Sequence, residues 1–362
     1  MSQTEVQLIK NGAVVDADIN GMSSSKLSGA LPAISGASLT NLPTPTGKTR
    51  NLLINGAMQV AQRGTSTTTN GYLIDRFRSN LGGMDQLAFT MSQSTDAPSG
   101  FRKSLKFDVT SAETGGVAAE EYGGIRYITE SQDVAHLLYG TSAAKTITLS
   151  FHVKAYQTGT YALNLFMGDT SRAYTTTYTI SQSATWEKKT LTFVGDTGGS
   201  EINVDNGHGL YINWFIAAGT NYTSSSANTN QWASFSNAGW AYGQAVDLTN
   251  STDNYFQLAG VQLEVGNSAT DFEHKTFAEE LLLCQRYYQT GFVKIYDSNA
   301  GLQAVSQNFM PEMRAAPTIT GEQFESQTDA IWSSVEVTTS RACSFIKNAA
   351  EICQRWKCDA EL

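Results

Sequence analysis

The chain has 362 residues, a net charge of −9 and only 16% charged residues. That length allows two domains and a tail, while the acidic balance, with no cluster of Lys and Arg among aromatics, disfavours a nucleic-acid partner. Thr and aromatic residues favour strands, and the many Gly, Asn and Ser residues favour tight turns between them, so the composition points to an all-β protein. Lys10 is not followed by a long apolar run, so no secretory signal is expected. The most apolar stretch, residues 210–218, is too short and too polar for membrane insertion.

In chain order, residues 1–49 read as an extended arm. Val6, Leu8 and Ile9 on one side and Val14 and Val15 on the other flank Asn11-Gly12, a two-residue hairpin signal. A small, turn-rich segment follows, with lone apolar residues at Leu31, Ile34, Leu39 and Leu42. One copy cannot bury enough surface to order itself, so it is either a flexible linker or one of three copies wound together.

Residues 50–275 alternate apolar and polar with period two. Leu105, Phe107 and Val109 mark one strand, and Ile147, Leu149, Phe151 and Val153 another. Tyr161 to Met167, Tyr174 to Ile180, Leu191 with Phe193, Leu210 to Ile216 and Leu258 to Val265 repeat the pattern. With Gly, Asn and Asp turns between them and no βαβ alternation, these strands predict an antiparallel jelly-roll sandwich. The pattern then switches to a connecting helix over residues 276–290. Thr276 and Glu279 form a capping box, and Phe277, Leu281, Cys284 and Tyr288 share a face. Residues 291–362 return to short strands, a small β-rich domain. Its alternating end places Trp356, Cys358, Ala360 and Leu362 on one side. All four cysteines, Cys284, Cys343, Cys353 and Cys358, lie in the last quarter, which favours reduced, packed thiols over a disulfide framework.

Catalytic patterns are missing. His136, His152, His208 and His274 show no metal spacing, and neither a nucleophile elbow nor a phosphate loop occurs. Glu120, Glu121, Glu130, Asp169 and Asp196 are candidates for a glycosidase pair, but nothing in the sequence pairs them. The expectation is therefore a protein that is not an enzyme. Sugar binding fits better, because sugar C–H faces stack on aromatic rings and hydroxyls bond amides and carboxylates. Residues 221–254 hold that mixture in a loop. Trp232, Trp240 and Tyr242, with Asn230 and Asp247, are the candidate glycan contacts. The competing reading is that the tryptophans fill a loop minicore or a subunit interface.

The segment Asn51-Leu-Leu-Ile-Asn-Gly-Ala-Met-Gln-Val-Ala-Gln-Arg-Gly64, followed by Tyr72-Leu-Ile-Asp-Arg-Phe77, resembles the opening of a module of tailed-bacteriophage virion fibre proteins. The segments 186–193, Gly260–Gly266 with Phe272-Glu-His274, Leu281–Tyr288, Met313–Thr318 and Asp359–Leu362 are similar to it in the same order. The resemblance implies a sandwich similar to family 4/9-type carbohydrate-binding modules. It also implies a homotrimer assembled in the host cytoplasm and located on the virion as a tail fibre or other surface fibre. The arm, through Val6, Leu8, Ile9, Val14 and Val15, would attach to a tail, baseplate or capsid protein, and the distal part would meet host-surface polysaccharide. A structural calcium is implied too, with no ligands that can be mapped onto this sequence. Two other readings stay open: a capsid- or baseplate-bound connector that binds only protein, and a depolymerase tailspike.

Overall fold

The structure is a computed structural model that describes residues 50–113, 115–296, 303–323, 334–337, 339–347 and 351–362. The arm of residues 1–49, with Val6, Leu8, Ile9, Val14 and Val15, lies outside them. Residues 49–362 form one compact unit.

Twelve strands make the sandwich. They are β1 (Ser66–Thr67), β2 (Phe77–Gly82), β3 (Ala88–Ser94), β4 (Ser104–Ser111), β5 (Tyr122–Glu130) and β6 (Ile147–Ala155). These are followed by β7 (Gly159–Met167), β8 (Arg172–Ile180), β9 (Glu187–Phe193), β10 (His208–Ala218), β11 (Ala233–Ser234) and β12 (Tyr255–Val265). The first sheet runs β1-β3-β4-β12-β6-β9 and the second β11-β8-β7-β10-β5-β2. Neighbouring strands pair antiparallel, and the chain repeatedly crosses between sheets, giving a jelly-roll-like all-β sandwich. Each strand predicted from alternation is present. Their inward residues, among them Phe107, Phe151, Leu163, Trp214 and Phe256, form one core between the sheets. β2, β3 and β5 carried no such prediction. Arg78, Ser79 and Asn80 dilute the pattern in β2, and Gly123 and Gly124 dilute it in β5.

The motif 51–64 locks this sandwich together. Asn51 accepts from the backbone N–H groups of Leu53 and Leu263 and donates to the Val261 carbonyl. Asn55 bonds Val60 and Asp75. A side chain at Gly56 would meet the Val261 carbonyl oxygen at 2.0 Å, so only glycine fits. Gly260, with φ +58, lies where β12 slips register against β6, a bulge that bends the strand over this motif.

The helix spans Phe277–Gln285, with the expected capping box. Its buried positions are Glu280 and Cys284, while Phe277, Leu282 and Leu283 are exposed. That corrects the predicted Phe277 face. The reason is Glu280, whose carboxylate accepts from Asn55 N–H at 2.7 Å and turns that side inward. Tyr288 leaves the helix to pair with Asp359. The remaining strands are β13 (Tyr288–Tyr296), β14 (Gln303–Asn308), β15 (Thr318–Gln323), β16 (Ser334–Val337), β17 (Ala342–Lys347) and β18 (Glu351–Asp359). They form two three-stranded sheets, β13-β18-β15 and β14-β17-β16, around Phe309, Met313, Phe345 and Trp356. Cys284, Cys343 and Cys358 are free and buried. No helix among the described residues is long and apolar enough to cross a membrane.

Candidate functional site

Period-two geometry means that the residues between the inward ones face away from the core. On the second sheet this outward set forms a row in register across five strands. Arg78 of β2 pairs with Arg126 of β5, Arg126 with Asn213 of β10, Asn213 with Asn164 of β7, and Asn164 with Thr175 of β8. Asn213, Asn164 and Thr175 are buried, and an unpaired amide there would cost about 1–3 kcal/mol. They are chained instead. Arg126 Nε donates to Asn213 Oδ1 at 2.6 Å, and Asn213 Nδ2 to Asn164 Oδ1 at 3.1 Å. Asn164 Nδ2 donates to Thr175 Oγ1 at 3.0 Å, and Thr175 to the Gly239 carbonyl at 2.9 Å.

The last acceptor belongs to a loop that folds over one end of this face. Its Trp240 packs with Phe215, Ala162 and Ala241, walled by Tyr122, Tyr222 and Phe235. Arg126 and Arg78 occupy the other end of the row, and both are half-buried. There the Arg126 guanidinium lies 5.4 Å from the Tyr211 ring centroid and 5.5 Å from that of Trp240. Arg78 lies 5.3 Å from the ring of Tyr72. Tyr72, Arg78, Arg126 and Tyr211 are all half-buried. Arg78 uses Nε on the Ser79 carbonyl, and the terminal amino groups of both arginines have no hydrogen-bond partner among the described residues. Burial, with Arg78 adding to it, holds the Arg126 guanidinium below the usual arginine range.

The predicted contacts land elsewhere. Trp240 is 9% exposed, with its ring enclosed edge-to-face by Tyr122, Phe215 and Tyr222, so it offers no face to a sugar. Trp232 donates to the Val194 carbonyl and packs against Tyr139 and Tyr174 at the margin of the main core. Both tryptophans thus fill the loop minicore and core margin, a correction to the stacking role. Their size makes burial worth more than exposure. Asp247 caps the turn at Leu248–Asn250, accepting from Thr249 N–H and hydroxyl. Asn230 is exposed and accepts from Thr176, while Tyr242 is half-buried. The five share no side-chain partner. The outward residues Tyr211 and Asn213 were missed, although they alternate with Leu210, Ile212 and Trp214. Arg78 and Arg126 gave no signal, because only the register brings them together.

Of the candidate carboxylates, Glu120 is exposed, Glu121 accepts from Ala118 N–H, and the other three are held by side chains. Arg286 grips Glu130 with two bonds of 2.7 and 2.8 Å, and Tyr287 and Gln132 add one each. Burial alone would raise the Glu130 carboxyl, but these donors carry it below its ordinary value. Asp196 is held by Arg172 and Asp169 by Asn203. A separate groove of about 580 Å³ is lined by Arg63, Tyr288, Thr318, Thr320, Asp359 and Glu361. Arg63 bonds Asp75 at 3.1 Å and Asp359 at 3.0 Å, with Glu361 at 3.4 Å. Among the described residues no three His, Cys, Asp or Glu side chains converge, so no calcium ligands are assigned.

No protein-family model matches the chain, and no curated protein does either. Among solved structures, the chain is similar to the enzymatically active domain of tailspike protein 4 of bacteriophage CBA120. The two share 11% identity at a TM-score of 0.31, over 60% of this chain and 21% of that one. The chain thus spans about a fifth of the length of that structure. It is also similar to the family 11 carbohydrate-binding module of a cellulosomal cellulase of Clostridium thermocellum. There the identity is 11% and the TM-score 0.28, over 56% of this chain and 96% of that one. Overlaps this low say nothing about the ligand.

Proposed function

We propose that the protein is a fibre component of a tailed-phage virion that binds host-surface glycan on the Arg78–Arg126 end of the second sheet, without cleaving it. One observation carries the reading. The half-buried Tyr211 ring stands beside guanidinium N–H groups that have no protein acceptor among the described residues, and a buried hydrogen-bond chain holds Arg126 in place, while Tyr72, with Arg63 and Arg78 over its ring, positions Arg78. Rings that stack on C–H faces beside donors that bond hydroxyls are what a sugar requires. The arm of residues 1–49 would join a tail, baseplate or capsid protein, and three copies would wind together.

Binding of bacterial polysaccharides by the wild type and by Tyr211→Ala tests the glycan reading. The variant gives up the ring contacts with Phe166 and His208, about 1–3 kcal/mol of stability, so its folding is checked first, and it should bind up to about tenfold more weakly, the value of one aromatic contact. Unchanged affinity would move the site off this face. Light scattering on the full chain should give three times the monomer mass, and a monomer at micromolar concentration would count against the fibre.

The groove that Asp359 and Glu361 line favours a second reading, polysaccharide cleavage, since it holds the two carboxylates a glycosidase needs, although they sit side by side on one guanidinium rather than facing each other. Against it, both carboxylates are tied to Arg63, and Glu361 also pairs with Arg76. Release of new reducing ends from host polysaccharide, abolished by Glu361→Gln, would establish cleavage and displace the first reading.

A further inference from the structure

Arg78 and Arg126 are direct cross-strand partners. Like charges in that relation repel and destabilise a sheet, and the cost is usually relieved by a carboxylate. Four of the other half-buried or buried arginines have one: Arg63 has Asp75, Arg76 has Glu361, Arg172 has Asp196 and Arg286 has Glu130, while Arg50 and Arg314 bond backbone carbonyls instead. The Arg78–Arg126 pair has none among the described residues, although the chain carries nine more negative than positive charges. Asp169 lies toward Tyr211 and His208, but its carboxylate is occupied by Asn203. Both guanidinium planes are steadied by rings, Tyr72 for one and Tyr211 with Trp240 for the other. The terminal amino groups of both have no hydrogen-bond partner among the described residues, and those donors match a carboxylate bidentately.

We propose that the glycan bound here is acidic, with a sugar carboxylate held between the guanidinium groups of Arg78 and Arg126. This rests on the glycan-binding reading above and narrows it. The unrelieved repulsion is then a feature of the free protein that the ligand removes.

The test uses the full chain on a panel of acidic and neutral bacterial polysaccharides, each acidic member accompanied by its carboxyl-reduced form. Reduction leaves the sugar backbone and removes the charge. The expected result is binding to acidic members, lost on carboxyl reduction and weakened in 0.5 M salt, at roughly a Debye length of 4–5 Å. Arg78→Gln/Arg126→Gln should bind about 100-fold more weakly, roughly tenfold for each charge-assisted bond. The melting temperature of Arg78→Gln alone should be equal to or above that of the wild type, because the repulsion is gone while the Arg126–Asn213 bond stays. If the double variant fails to fold, Arg78→Gln alone carries the same test at about tenfold. Binding to neutral members, or equal binding to reduced and acidic forms, overturns the acidic assignment and leaves glycan binding standing. Binding to no member overturns both.

Discussion

Two regions of this molecule use arginine in opposite ways. Where the C-terminal strands meet the sandwich, Arg76 is fully buried with a left-handed backbone (φ 73). It stacks 3.5 Å from the ring centroid of Tyr287 and bonds Glu361 and the Ile128 carbonyl. Arg63, Arg286 and Arg314 surround it, bonding Asp75, Asp359, Glu130 and the backbone of Ala360. On the outward sheet face, Arg78 and Arg126 have rings beside them but no carboxylate. Burial separates only Arg76 from the rest, since Arg63, Arg286, Arg78 and Arg126 are all half-buried. A charge removed from water must be paired within the fold, whereas a half-exposed one can wait for a ligand. The junction guanidinium groups have protein acceptors, whereas the terminal donors of Arg78 and Arg126 have none among the described residues, and it is those donors that mark a surface for something else.

The comparison breaks first at the junction. Arg76→Ala should cost about 3–5 kcal/mol, because Glu361 is left buried and short of a partner. Chemical denaturation of the variant would show it, and a loss under 1 kcal/mol would mean the junction contributes little. Trp240→Ala should cost about 3 kcal/mol by emptying the loop minicore. It should also speed proteolysis within residues 219–245, whereas unchanged stability would return Trp240 to the candidate contacts.

A smaller effect is expected at Glu130. Its folded carboxyl lies below the ordinary range, so its contribution is complete above the unfolded value and fades as pH falls through the folded one. Glu130→Gln should lose about 2 kcal/mol at pH 7 and less at pH 3. Equal losses at both pH values would show that the Arg286 bond is not what matters. The smallest effect belongs to the face itself, where neutralising Arg78 alone should leave stability unchanged or slightly raised.

Much of this was legible in the chain. Alternation at 147–155, 159–167 and 208–218 located strands correctly, since a half-buried strand must write its two faces into the sequence. The capping box at Thr276 was equally readable, because both partners lie within one turn. The helix face was misread because an apolar Phe277 suggested burial, while a polar contact from Asn55, 225 residues away, decided it. The tryptophan loop left two readings open for a similar reason. A Trp among Asn and Ser looks available, and only its four aromatic neighbours, drawn from separate strands and loops, show that it is enclosed.

By itself, the sequence determined the all-β class, the strand positions and the inward face of each predicted strand, because these depend on residues near one another in the chain. The tertiary structure alone decided which outward residues become neighbours. Arg78, Arg126, Asn213, Asn164 and Thr175 come from five strands spread over more than a hundred residues. Strand order and register set that row, and neither is encoded in local pattern, since any antiparallel pairing would satisfy the same alternation.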